Sequence, residues 1–336
     1  MSKLKTDRRQ IEEIAKYSFY REKLHNKPDK TKSRDNPKVL FFKNYKADCE
    51  AMEYSIVMPI YNQQNIIQRN IKSVLLNTLD TYELILILDG CSDNTEEEVL
   101  SLFTSLNNVP SNLIKVTVLI LTTSIYETAC DNLGFVLAEA PFIIEIQADM
   151  EMTTLGYNKL LKRLVDTCGD DIFMVSGRAS CNVTANMKKI KGHGKLGSKV
   201  SEPLHISYDE MNKYYIDATI CRGPLLIVKE KLERLGYLDE HNFVQGGDDI
   251  DISLRAYDKY KWVVGYYPLE FYAPLQNSTM QKNKKIKNSY TDEHYKERVA
   301  RSDGGFLKRV QTNMGKFNLV KQSVRMITQN KLLENV

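Results

Sequence analysis

Three short stretches of this 336-residue chain gather side chains suited to holding a cation and moving a proton. They are Asp89-Gly90-Cys91-Ser92-Asp93, Gln147-Ala148-Asp149, and the run Gly246-Gly247-Asp248-Asp249-Ile250-Asp251. Mg²⁺ and Mn²⁺ prefer oxygen ligands. They keep several waters and can be held by one or two carboxylates together with a substrate's phosphates. An Asp-x-Asp pair is the strong form of such a site. Gln147-Ala148-Asp149 carries half that charge, so it is either a metal site with Asp149 as its sole carboxylate ligand or a strand that ends in a polar turn. A carboxylate next to another carboxylate has a raised pKa, which suits it to general-base work. Asp248 and Asp249 have that arrangement. Acids at a helix start also gain about 0.3–1 kcal/mol each from the macrodipole. That accounts for one or two of Asp248, Asp249 and Asp251, but three exceed what capping needs.

The elements that must position these groups follow from the apolar pattern. Residues 54–60, 82–89, 113–121 and 142–146 are short runs rich in Ile, Leu and Val. Near-continuous apolar runs are expected of strands covered on both faces, as in a parallel sheet. Helical stretches separate them, at 64–77, from Asn94, and at about 127–139. This alternation predicts a doubly wound α/β domain. Ligands of such sheets sit beyond the carboxyl ends of the strands. There the sequence has Tyr61-Asn62, Asp89 to Asp93, and Gln147-Ala148-Asp149. Farther along, "ATICRGPLLIVKEKLERLGYLDE" reads as strand, tight turn, strand, helix. A further helix runs from Asp248 to about Tyr260. Arg222, before Gly223-Pro224, is either a contact to donor phosphate or acceptor, or a surface Arg paired with a carboxylate.

Bulk properties narrow the classes. The formal net charge is +4 with a pI near 8.5. That is too mild for a dedicated nucleic-acid binder. No run approaches the ~20 apolar residues of a transmembrane helix. The basic N-terminus lacks the apolar centre of a secretory signal. Six cysteines without a C-x-x-C pair suggest free thiols in a reducing compartment, hence a cytoplasmic protein, peripheral to a membrane at most.

Taken in order, "SIVMPIYN", "ELILILDGCSDNT", "ETACDNLGFVLAEAPFIIEIQADM" and "RGPLLIVKEKLERLGYLDEHNFVQGGDDIDISLRA" resemble the GT-A glycosyltransferases of the family 2 type. The resemblance covers about residues 54–260. It implies a GT-A (Rossmann-like) α/β fold, with a mostly parallel central sheet flanked by helices. It implies metal-dependent, inverting transfer of a hexosyl or N-acetylhexosaminyl group. The donor would be a nucleotide sugar, typically a UDP-sugar, and the acceptor a hydroxyl of a glycan, lipid or protein. Mn²⁺ or Mg²⁺ would be the cofactor. Pro59, Tyr61 and Asn62 fall where the first strand meets the nucleotide. Asp89 falls where an Asp accepts a hydrogen bond from uracil. Gln147, Ala148 and Asp149 fall on the metal motif. Asp249 falls on the general base and Asp248 on the acid before it.

The sequence also departs from the family pattern. Leu88 replaces the first Asp of Asp-Asp-Gly, Gln147 the first metal-motif Asp, and Asp131 the Arg of Arg-Asn-x-Gly. On this basis Gln147→Asp is expected to tighten Mn²⁺ binding. The alternative reading is a degenerate GT-A domain that binds sugar nucleotide or a partner without catalysis. Gln147 supports it, whereas Asp89, Asp149 and the Asp248–Asp251 cluster argue against it.

The expected organisation has three parts. Residues 1–50 form an N-terminal helical extension. Residues 51–270 form the transferase domain, with a nucleotide-sugar half (51–150) and an acceptor half (151–270). Residues 271–336 form a basic helical extension. Its apolar stripe from Phe306 reads as core packing or a homodimer contact, with membrane contact as an alternative. The basic Gly-rich segment 192–199 reads as a lid or a solvated loop.

Overall fold

The apolar runs fold largely where their pattern predicts. The computed structural model describes residues 37–46, 51–106, 108–178 and most of 214–273. Its strands are β1 (Lys38–Asn44), β2 (Tyr54–Ile60), β3 (Tyr82–Asp89), β4 (Leu113–Leu121), β5 (Phe142–Glu145), β6 (Glu151–Met152), β7 (Ile172–Ser176), β8 (Tyr215–Asp217), β9 (Leu225–Val228), β10 (Val263–Tyr266) and β11 (Phe271–Tyr272). Its helices are α1 (Ile67–Asn77), α2 (Thr95–Ser105), α3 (Glu127–Leu137), α4 (Tyr157–Cys168), α5 (Lys229–Leu235) and α6 (Asp248–Tyr260).

Nine strands form one sheet in the order β1-β4-β3-β2-β5-β9-β7-β10-β8. Neighbours β4, β3, β2 and β5 are parallel. All of β3 is buried, and nearly all of β2 and β4, because helices cover both faces. α3 lies very close to β2: a Cβ on Gly134 would stand 2.3 Å from Val57 Cγ1. The two faces of the sheet carry two apolar clusters, one around Ile56, Leu84 and Val116 and the other around Val57, Ile85 and Leu119.

The other half of the sheet is mixed, which modifies the expectation of a mostly parallel arrangement. β9 is antiparallel to both β5 and β7, and β10 is parallel to β7. The reason is where β9 begins. Leu225 pairs with Glu145 and Ser176, the last residues of β5 and β7. The strand enters at the edge where those two end, and so must run back.

A second difference concerns the N-terminal extension. β1 is antiparallel to β4, with Lys38 opposite Ile120 and Asn44 opposite Lys115. The sheet therefore begins before residue 51, inside the stretch read from sequence as an appendage. The predicted helix at 7–24, the 192–199 segment and the C-terminal helix lie outside the described residues. No helix among the described residues is long and apolar enough to cross a membrane.

Candidate active site

The carboxyl ends of β2 and β3 are knitted together by short polar side chains. Pro59 lies near the end of β2, next to β3. Val57 turns its carbonyl toward the β5 side, where Ile146 N–H donates to it. Groups repeat every two residues along a strand, so residue 59 faces the same side. β5 pairs with β2 only as far as Val57, and a proline, which lacks an N–H, loses no ladder bond there. Asn62 takes a left-handed backbone (φ 50°), which Asn tolerates better than most residues. Its side chain accepts from Ser92 N–H at 2.8 Å and donates to Ser92 Oγ at 3.1 Å. Burial, reinforced by nearby Asp89, pushes the Tyr61 hydroxyl up. Asp93 accepts from the N–H groups of Gln64 and Thr95, tying the start of α2 to the segment after β2.

Asp89 is 4% exposed. Its carboxylate accepts from Ser124 Oγ (2.6 Å), Ile125 N–H (2.6 Å) and Tyr126 N–H (3.0 Å). Burial raises its pKa, and these donors oppose the rise. The chain must come very close here. A Cβ on Gly90, whose φ is +61°, would stand 2.6 Å from Ser124 N. The carboxylate that the resemblance assigns to uracil thus already holds three donors of its own chain. It braces the loop between β4 and α3.

β5 leads into the second stretch. Gln147 O accepts from Met150 N–H at 3.0 Å, making a turn. Asn70 Nδ2 donates to Ala148 O at 2.7 Å, tying that turn to α1. Ala148 is buried, while Gln147 and Asp149 are partly exposed. Gln147 Nε2 donates to Glu127 Oε1 at 2.8 Å. Gln147 Oε1 lies toward Gly223, 3.4 Å from where a Cβ on that residue would stand. Among the described residues no three His, Cys, Asp or Glu side chains form a ready-made metal cage. The oxygen-donor set at this turn instead fits Mg²⁺ or Mn²⁺ held by Asp149 and substrate phosphates, a mode that needs no cage.

Arg222 joins this turn to the third stretch. It is 6% exposed, not on the surface. Its guanidinium pairs with Asp131 and Asp248, and with Glu127 Oε1 at 3.2 Å. The carboxylate pairing read from the sequence is present, but at a buried position and with more than one acid, not at the surface. Its backbone N–H donates to Asp249 Oδ2 at 3.1 Å, and Ile250 N–H donates to Asp249 Oδ1 at 2.8 Å. Asp248 is fully buried and Asp249 partly so. Burial raises the Asp249 carboxyl, against the pull of Arg222 and the two backbone donors. Asp131 is likewise raised by burial, with Arg222 opposing. Glu145, at the end of β5, is pushed far up by burial and by Asp131, and neither of its oxygens has a hydrogen-bond partner. Asp131 Oδ1 and Asp248 Oδ1 are also without one. Asp251 does something else. It pairs with Arg255, whose other nitrogens donate to the carbonyls of Leu235 and Tyr237 and so fasten α5 to α6.

The structure therefore gathers Gln147, Arg222, Asp248 and Asp249 in one cluster. Tyr61, Asn62 and Asp89 stand at the neighbouring strand ends. Sequence reasoning missed Glu127 and Glu145 as members of the cluster. An acid opening a helix after a predicted strand and one ending a buried strand were the available signals.

The Glycosyl transferase family 2 model matches residues 55–236. An uncharacterized glycosyltransferase of Haemophilus influenzae is 28% identical over 137 residues, covering 40% of this chain and 51% of that protein. The chain thus spans about half the length of that curated relative. S. aureus TarS 1-349, solved in complex with UDP-GlcNAc, aligns with a TM-score of 0.48 at 13% identity, covering 77% of this chain and 75% of that one. GalNAc-T7, solved with UDP, GalNAc and Mn²⁺, aligns with a TM-score of 0.48 at 15% identity, covering 67% and 43%.

Proposed function

Since the chain belongs to glycosyl transferase family 2, we propose that it is a metal-dependent, inverting glycosyltransferase. It moves a hexosyl or N-acetylhexosaminyl group from a UDP-sugar to an acceptor hydroxyl, with Asp249 as general base. The observation that carries this reading is the meeting of two chemistries at Arg222-Gly223. Gln147, from the turn that holds Asp149, faces Gly223, and the Arg222 N–H donates to Asp249. Inverting displacement needs a leaving-group side and a base side around one sugar. In this reading Asp149 and Asp249 would supply them from either side of one turn.

Asp149 is the residue that would hold the cation, with diphosphate oxygens completing its shell. A divalent ion, when bound, supplies Lewis-acid stabilisation of the departing diphosphate. Pro59, Tyr61 and Asn62 line the nucleotide side. Asp89 serves that side through the loop it braces. Asp249 accepts the acceptor's hydroxyl proton as the oxygen attacks the anomeric carbon and the bond to the diphosphate breaks. Its raised pKa brings it nearer the working pH, where a base is most effective. Asp248 acts one step back, fixing Arg222. Glycan, lipid and protein acceptors all fit this chemistry. The free thiols of Cys91, Cys130 and Cys168 suit a cytoplasmic location.

The test is release of free UDP from a panel of UDP-sugars, with and without Mn²⁺. We expect Mn²⁺-dependent release from at least one donor. Binding of UDP with no release from any donor, with or without acceptor mixtures, would favour the non-catalytic reading.

A further inference from the structure

We propose that Glu127 carries the second negative charge of the metal turn, the charge that position 147 lacks. The inference rests on the metal-dependent reading above. Gln147 is neutral, and its amide is oriented by its bond to Glu127 Oε1. That same oxygen meets the Arg222 guanidinium at 3.2 Å. Two donors from two different elements therefore fix one oxygen of Glu127. The other oxygen has no hydrogen-bond partner among the described residues, and the side chain is 21% exposed. A carboxylate anchored at one oxygen and open at the other is held ready for a cation or its waters.

The other acids nearby do not fit this role. Glu145 is only 1% exposed and lies within the sheet. Asp131 and Asp248 have fully buried side chains committed to Arg222. Asp249 is bound to the backbone on the base side. Glu127 alone among these five reaches the metal turn while remaining partly open.

This changes the meaning of Gln147. An Asp at 147 would set a like charge directly against Glu127 and would remove the amide that donates to it. Gln147 is then the donor that positions Glu127, not a lost ligand. The expectation that Gln147→Asp tightens Mn²⁺ binding is reversed.

The experiment is a charge exchange across the pair, with Mn²⁺ binding read by electron paramagnetic resonance in the presence of UDP. UDP-sugar turnover and thermal melting are followed in parallel. Glu127→Gln should weaken Mn²⁺ about 10–100-fold, the range seen when partners of metal ligands are removed. Gln147→Asp alone should bind no more tightly than the native protein. Combining the two substitutions reverses the donor and acceptor and should return binding to within a few-fold of native. Unchanged Mn²⁺ affinity in Glu127→Gln, or tighter binding in Gln147→Asp alone, overturns the proposal. If Gln147→Asp does not fold, the Glu127→Gln titration decides by itself. Native protein that binds no Mn²⁺ with UDP present refutes the metal-dependent reading, and this inference falls with it. Native binding unaltered by Glu127→Gln refutes the inference alone.

Discussion

Asp89 and Asp249 are both carboxylates drawn out of water, and burial raises both. Their neighbourhoods differ in kind. Asp89, in the parallel half of the sheet, accepts three hydrogen bonds from one loop. Asp249, beside the mixed half, stands with Glu127, Asp131, Glu145 and Asp248 around the single Arg222 guanidinium. In the first place every charge is answered locally. In the second, acids outnumber the base, and several buried oxygens remain unpartnered. A carboxylate whose lone pairs are filled gives shape. One in a crowded cluster can trade a proton.

The largest expected effect is that of Asp249→Asn. Loss of a general base costs about 10²–10⁴-fold in rate, so UDP release should fall by that much while calorimetry shows UDP binding nearly unchanged. Near-native turnover would remove Asp249 from the mechanism. Next is Arg222→Met, which leaves Asp131 and Asp248 buried without their cation. Breaking a buried pair in this way costs about 3–5 kcal/mol, measurable as a shift in urea midpoint. A loss below about 1 kcal/mol would mean that the acids are already neutral.

Asp89→Asn should be milder. Leaving buried donors unsatisfied costs about 1–3 kcal/mol, seen in stability before rate. If it slowed turnover as much as Asp249→Asn at native stability, the contrast drawn above would collapse. The smallest effect concerns pH. A base must be ionised to act, so the rate falls as pH drops through its pKa. Because burial raises Asp249, the acid limb of kcat/KM should lie above the ordinary Asp value of about 3.9. A limb at or below that value would argue against Asp249 as the base.

Much of the frame could be read from the residues. β2, β3 and β4 begin and end where their apolar runs do, because both faces of each strand are covered. α6 spans Asp248–Tyr260 as the Gly-Gly-Asp-Asp start predicts. β1 escaped notice because it is an edge strand whose buried and exposed positions do not alternate cleanly, and its partner lies far along the chain, Lys38 standing opposite Ile120 and Asn44 opposite Lys115. The site divides in the same way. Asp149 and Asp249 sit in local patterns that announce chemistry. Arg222 does not, since its acids come from α3 and α6, and no short window contains them. Glu127 is hidden for the same reason.

The placement of β9 also bears on how the chain is made. Synthesis delivers β5 and β7 well before Leu225–Val228 exists. Until β9 arrives, each shows an unpaired edge rich in Ile, Val and Met, the kind of surface that pairs with other chains. Domains generally fold from the N-terminal side as they emerge from the ribosome. The parallel half, β2 to β5, can therefore form early, with a sticky flank. The strand that closes that flank also carries Arg222 at its entrance, so the step that protects the nascent protein from aggregation is the same one that completes its charged cluster.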